Sequence, residues 1–95
     1  MTVKKYRLPD GGETWLDENN EVIYQKSSNG REVWFDDNKV THQKDPNGIE
    51  RWYEYDENGK IIHMKDSIGY ETWYDENGNI AKTIVPDSEI LKYLQ

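Results

Sequence analysis

The sequence predicts an all-β protein: an antiparallel meander of about nine short strands built from four hairpin repeats of about 19 residues, forming an open or partly rolled sheet with a short C-terminal helix. Three observations carry this. The pattern Gly-x-Glu-x-Trp occurs four times, at Gly11/Glu13/Trp15, Gly30/Glu32/Trp34, Gly48/Glu50/Trp52 and Gly69/Glu71/Trp73. The glycines are spaced by 19, 18 and 21 residues, a period at which each unit packs mainly on its neighbours. Each copy holds two runs of about five to seven residues between turn signals, the sequence form of a β-hairpin.

Two families of turns divide the chain. Asp10-Gly11, Asn29-Gly30, Asn47-Gly48 and Ile68-Gly69 form the first, read as two-residue turns whose central residues both need positive φ. Ile68 departs from that chemistry. The second comprises Asp17-Glu18-Asn19-Asn20, Asp36-Asp37-Asn38, Asp56-Glu57-Asn58-Gly59 and Asp75-Glu76-Asn77-Gly78, where a closing Asn or Gly suits the left-handed position of a bulged loop.

Strands are therefore expected at residues 3–8, 12–17, 21–26, 31–36, 39–45, 49–56, 60–66, 70–75 and 79–85. The first resembles the second half of a unit, with Arg7 standing where Lys26, Lys44 and Lys65 stand, so the chain is expected to start mid-repeat. After Thr83-Ile84-Val85, Pro86 stops the last strand, and Asp87-Ser88 offer a start for a helical cap over residues 87–95. The whole, residues 1–95, is expected to be one domain.

Two-residue turns set Tyr6 opposite Trp15, Gln25 opposite Trp34, Gln43 opposite Trp52 and Met64 opposite Trp73. They also set His42 opposite Tyr53 and His63 opposite Tyr74. Because side chains alternate along a strand, all four tryptophans then share one face, flanked by Ile23, Thr41, Ile62 and Ala81. The other face carries Val22, Tyr24, Val40, Tyr53, Tyr55, Ile61 and Ile80, among others. The third unit has two extra residues, Glu54-Tyr55, before its Asp turn; an even insertion keeps both faces in phase and makes that strand project further. A closed barrel competes with the open sheet, but so short and polar a chain would fill its interior poorly.

Composition narrows the function classes. A chain of 95 residues with 34% hydrophobic content and a mean hydropathy of -1.12 supports only a thin core, yet four tryptophans, seven tyrosines and one phenylalanine argue for order by aromatic packing. Nineteen acidic against twelve basic residues give a net charge of -7, which argues against nucleic acid or an anionic membrane as a direct partner and leaves basic partners open. Without cysteine there is neither a disulfide framework nor a thiolate site. No signal-peptide core or long apolar run is present, so a cytoplasmic location is the default expectation.

Trp52-Tyr53-Glu54-Tyr55-Asp56-Glu57-Asn58-Gly59-Lys60 and Trp73-Tyr74-Asp75-Glu76-Asn77-Gly78 resemble two related bacterial repeats: the YD repeat of RHS proteins and the MORN-variant repeat. The resemblance spans roughly residues 11–84. Trp15-Leu16-Asp17 lacks the tyrosine of the pattern, and Asp36-Asp37-Asn38-Lys39 lacks its glycine. The resemblance implies a string of hairpins serving as a shell or interaction surface and brings no catalytic residues. A looser likeness links the chain to repeats that bind choline or glucan in aromatic cages. In the register above, Gln25, Gln43 and Met64 stand where further cage walls belong.

Candidate sites follow. The tryptophan row is either a stacking platform for sugars or protein, or a structural element of every repeat. The acidic turns either dock a basic partner or serve as solvated Asx turns. No turn has the Asp-x-Asp-x-Asp-Gly spacing of a calcium loop, and His42 and His63 stand two strands apart, too far for one ion. No metal, cofactor or catalytic constellation is expected, and the chain is read as a non-enzyme.

The expected function is an acidic protein-binding module, of the inhibitor, immunity or anti-defence kind, that docks a basic partner. The partner-binding residues are Trp34, Trp52, Tyr53, Glu54, Tyr55, Asp56, Glu57, Trp73, Asp75 and Glu76. Carbohydrate binding through the tryptophan row is one alternative. A structural spacer, oligomerising through its sheet edges, is another.

Overall fold

The computed structural model describes residues 2–87, which form nine strands: β1 (Lys4–Arg7), β2 (Glu13–Leu16), β3 (Val22–Lys26), β4 (Glu32–Asp36), β5 (Lys39–Lys44), β6 (Glu50–Tyr55), β7 (Ile61–Asp66), β8 (Glu71–Tyr74) and β9 (Ile80–Ile84). The strands run in sequence order, β1 through β9, as the meander predicts. The helix expected over residues 87–95 lies, but for Asp87, outside the described residues. Two compact units divide the chain, residues 1–50 and 51–95. The first holds β1 to β5 and Glu50; the second holds the rest of β6 and β7 to β9.

The turns correct the sequence register. Seven share one geometry, seen at Ser27–Arg31: Gly30 N donates to Ser27 O at 2.9 Å and Ser27 N donates to Arg31 O at 2.8 Å. This is a type I turn closed by a left-handed residue, so three residues form the loop instead of two. Only the last loop residue needs positive φ, and Gly11, Gly30, Gly48 and Gly69 supply it at 94°, 95°, 91° and 120°. The Asn or Asp before the glycine is not left-handed, which is why Ile68 is tolerated. In the second family Asn20, Gly59 and Gly78 close their turns at 64°, 82° and 84°, as the sequence suggests. Asp36–Lys39 differs from both expectations: Asp37 and Asn38 both have positive φ, 50° and 62°, making it the two-residue hairpin that the Asn-Gly sites are not.

One extra loop residue moves each pairing by one. Tyr6 faces Thr14 and Lys5 faces Trp15; Gln25 faces Val33 and Tyr24 faces Trp34; Met64 faces Thr72 and His63 faces Trp73. A second departure lies in the alternate hairpins, each of which shifts register once. Trp15 pairs with Tyr24 and Leu16 with Val22, leaving Ile23 as the bulged residue. Thr41, Ile62 and Ala81 are skipped in the same way. Unbulged pairing would put Ile23, Thr41 and Ala81 beside Trp15, Trp34 and Trp73, and Ile62 beside Glu54. The bulges replace them by Tyr24, His42, His63 and Lys82, and a one-residue slip moves a strand's side chains to the opposite face.

Among the described residues no hydrophobic side chain is fully buried, and Thr72, 8% exposed, is the one buried polar side chain. Each unit is therefore held by strand hydrogen bonds, turn chemistry and rows of half-buried side chains across its strands. Cross-strand pairs of this kind contribute roughly 0.2–1 kcal/mol each, so a long unbroken row is what a coreless sheet requires.

Candidate functional site

In each unit the register brings one row of side chains together at the level of the bulges. In the first, Lys5, Trp15, Tyr24, Trp34 and His42 stand opposite one another in succession. Lys5 Nζ sits 4.3 Å from the centre of the Trp15 ring. Trp15 and Tyr24 meet at 4.7 Å and Tyr24 and Trp34 at 5.3 Å, both tilted, and His42 lies flat on Trp34 at 4.3 Å. His42 Nε2 and Glu50 Oε2, 2.8 Å apart, close the row with a hydrogen bond. Trp15 Nε1 donates to Glu13 at 3.2 Å, and Arg7 pairs with that same carboxylate at 3.8 Å. Burial of Tyr24, followed by the charge and hydrogen bonding of Glu32 and then the charge of Glu13, raises its phenol above the ordinary value of 10.0.

The second unit repeats the row in short form. Glu54, His63, Trp73 and Lys82 face one another in turn. The Glu54 Oε1 to His63 Nδ1 distance is 2.7 Å, His63 stacks on Trp73 at 4.9 Å, and Lys82 Nζ lies 5.0 Å from the Trp73 ring centre. His63 Nε2 is buried without a hydrogen-bond partner, 3.6 Å from Glu71 Oε2. Glu54 therefore occupies the row position that Trp15, Trp34 and Trp73 occupy beside the other bulges. Trp52 stands one rung away, opposite Lys65, which pairs with Glu71 at 3.7 Å.

Several sequence expectations change here. The expected pairing of His63 with Tyr74 gives way to His63 between Glu54 and Trp73: the three-residue loop before β8 sets it opposite Trp73, and the bulge at Ile62 sets it opposite Glu54. Tyr24 joins the tryptophan face, so aromatic walls do flank Trp15 and Trp34, where the loose register had put Gln25. The equivalence of Tyr24, His42, His63 and Lys82 was visible in the repeat; that each of them opposes the tryptophan position depends on bulges that no residue type announces.

The extended strand β6 splits its own candidates between faces. Trp52 and Glu54 share one side, and Tyr53 and Tyr55 take the other, opposite Met64 and Ile61. Burial, and then the charge of Tyr53, raises the Tyr55 phenol. Trp34 belongs to the first unit's row, and Trp73 to that of the second.

Asp56, Glu57, Asp75 and Glu76 lie in the β6–β7 and β8–β9 turns. Asp56 Oδ1 accepts from Asn58 N and Lys60 N, both at 2.9 Å, and Asp75 Oδ1 accepts from Asn77 N and Asn79 N, also at 2.9 Å. Asp17 repeats this in the first unit with Asn19 N and Glu21 N. The neighbouring Glu18, Glu57 and Glu76 are exposed. The aspartates thus fix turns whose glutamates face solvent.

Among the described residues no helix is long and apolar enough to cross a membrane, and no three His, Asp or Glu side chains gather as a metal-binding group. No protein-family model matches the chain, and no curated protein does.

Proposed function

We propose that the protein is a non-catalytic binding module that docks a basic surface of a protein partner through its acidic turns. The observation that carries this reading is the pinned turn. In the second unit Asp56 and Asp75 each spend one oxygen on two backbone amides, so Glu57 and Glu76 project from frames that are already ordered. Two such turns on alternate hairpins of one sheet stand about 10 Å apart at sheet spacing. Preset carboxylates at that interval, on a chain of net charge -7, favour encounter with clustered lysine and arginine and lose little side-chain freedom on docking.

Glycan stacking along the tryptophan row has less support, since Tyr24, His42, His63 and two lysines already cover the faces of Trp15, Trp34 and Trp73.

The test is an affinity capture from the native host at low salt and at about 0.5 M salt, where screening shortens to a few ångströms. It is run with the natural chain and with a Glu57→Lys, Glu76→Lys variant. Capture of a basic protein that both high salt and the variant abolish is expected. A partner that binds equally well in all arms, or no partner at either salt, overturns the reading.

A further inference from the structure

We propose that the open edge of β1 accepts an extended acidic segment of a partner protein as an added antiparallel strand. This goes beyond the basic partner proposed above and uses a different part of the chain. Among the described residues β1 pairs with β2 alone, and all four of its residues are exposed. Leu8 N donates to Gly12 O at 2.8 Å, which fixes the backbone groups that face inward. The register runs without a break from there, so Tyr6 and Lys4 also turn their N–H and C=O toward β2, while those of Lys5 and Arg7 point away from it. A hollow of about 310 Å³ lined by Lys5, Tyr6, Arg7 and Glu13 lies at this edge. Backbone groups arranged in this way are what an added strand pairs with.

The charge of β1 says which strand fits. Lys4, Lys5 and Arg7 are three cations in four residues, on a chain whose net charge is -7. Cationic edges keep unwanted strands from adding, and here they exclude a second copy. Pairing β1 with β1 sets cations against cations, and β9, Ile-Ala-Lys-Thr-Ile, brings a further lysine and no acid. An acidic strand turns the same repulsion into attraction. Lys5 and Arg7 share the face of Trp15 and Glu13. Lys5 rests on the Trp15 ring at 4.3 Å, and Arg7 stands 3.8 Å from Glu13, too long for a hydrogen bond, so both keep their hydrogen-bond donors. Tyr6, 51% exposed, lies on the other face with Lys4. The complementary segment therefore reads acidic, apolar, acidic, acidic opposite Arg7, Tyr6, Lys5 and Lys4.

The experiment follows the backbone amide signals of the full chain by NMR while acetyl-Gly-Thr-Glu-Val-Glu-Glu-Thr-Gly-amide is titrated to about 5 mM, a range suited to a short unstructured strand. The Lys5 and Arg7 amides are expected to move downfield and gain protection from hydrogen exchange, and those of Tyr6 and Leu8, already bonded to β2, to change less. A counterpart with glutamine for every glutamate is expected to bind at least about fivefold more weakly, and Arg7→Gln, at a side chain 80% exposed, to weaken the acidic peptide about threefold to fivefold. Two further peptides separate strand addition from attraction of charge alone. N-methylation of the first glutamate, whose N–H would face β1, is expected to abolish binding, and N-methylation of the valine, whose N–H would face solvent, to leave it unchanged. Equal binding of these two peptides, equal binding of the glutamine peptide, indifference to Arg7→Gln, or no shift of the Lys5 and Arg7 amides overturns the proposal. So does movement of those amides with protein concentration alone, which would place a second copy at the edge.

Discussion

The His42 imidazole lies on the Trp34 indole with ring centres 4.3 Å apart and planes 16° from parallel, and its Nε2 hydrogen-bonds Glu50 at 2.8 Å. Trp34 in turn meets Tyr24 on its other side. With no fully buried hydrophobic residue among those described, this row takes the place of a core. Trp34→Ala, which removes the middle of it, is expected to cost about 2–3 kcal/mol, at the low end for a large aromatic because the ring is only half-buried. Trp34→Phe, which keeps a ring for both neighbours, is expected to cost less than half of that. Urea unfolding of the variants checks both, and equal costs would show that the stack contributes nothing beyond bulk.

The Tyr24 phenol makes stability fall in alkali. Its pKa is raised in the folded state by burial, with Glu32 and Glu13 adding to it. Below the unfolded value of about 10 the phenol is neutral in both states and this contribution is fully present. As pH rises past that value the unfolded chain ionises first, so the contribution is lost progressively until the folded pKa is passed. Tyr55 adds in the same direction. Thermal unfolding between about pH 9 and pH 11.5 is expected to show a falling melting temperature, and Tyr24→Phe to flatten the fall. An unchanged slope would exclude Tyr24 as its source.

Strand number, order and bounds were legible in the sequence because turn residues and alternation are local signals. Every strand lies within about a residue of its expected limits. The projecting β6 was legible too: it has six residues where β2 and β8 have four. Pairing was not, since Asn29-Gly30 fits both a two-residue turn and the end of a three-residue one, and the two differ by one step of register. The bulges at Ile23, Thr41, Ile62 and Ala81 carry no sequence mark at all. Of the candidate site, the acidic turns and the distinct character of Glu54 could be read; its contact with His63 depends on a bulge and could not.

Asp66 sets a turn more firmly than its counterparts. Its Oδ1 accepts from Ile68 N, Gly69 N and Tyr70 N, each at 3.0 Å, whereas Asp56 and Asp75 each serve two amides. The sequence supplies a reason: Asn29 and Asn47 accept from Arg31 N and Ile49 N, and Ile68 at the same place has no acceptor. Asp66→Ala is expected to cost about 2 kcal/mol and Asp75→Ala about 1, each amide left without its acceptor adding to the loss. Denaturant midpoints of the two variants give the comparison. If Asp75→Ala proves the more costly, Asp66 does not take over the missing asparagine's role.

The turn geometry makes opposite predictions for two neighbouring residues. Gly69 has φ 120°, and a Cβ there would stand 2.9 Å from Pro86 Cβ; Gly30 has φ 95° with nothing within 4 Å of its Cβ position. Gly30→Ala is therefore expected to cost about 1 kcal/mol from backbone strain alone. Gly69→Ala should cost more, because the clash with Pro86 adds to that strain. Ile68 sits before the glycine at a position that is not left-handed, so Ile68→Asn should change stability by less than about 0.5 kcal/mol. A two-residue turn would instead place residue 68 at positive φ, where a β-branched side chain is strongly disfavoured, and Ile68→Asn would then stabilise the protein by about 1 kcal/mol or more. Unfolding midpoints of Ile68→Asn and Gly69→Ala, measured side by side, decide between the two registers: a stabilised Ile68→Asn would sink the three-residue loop and every cross-strand pair built on it.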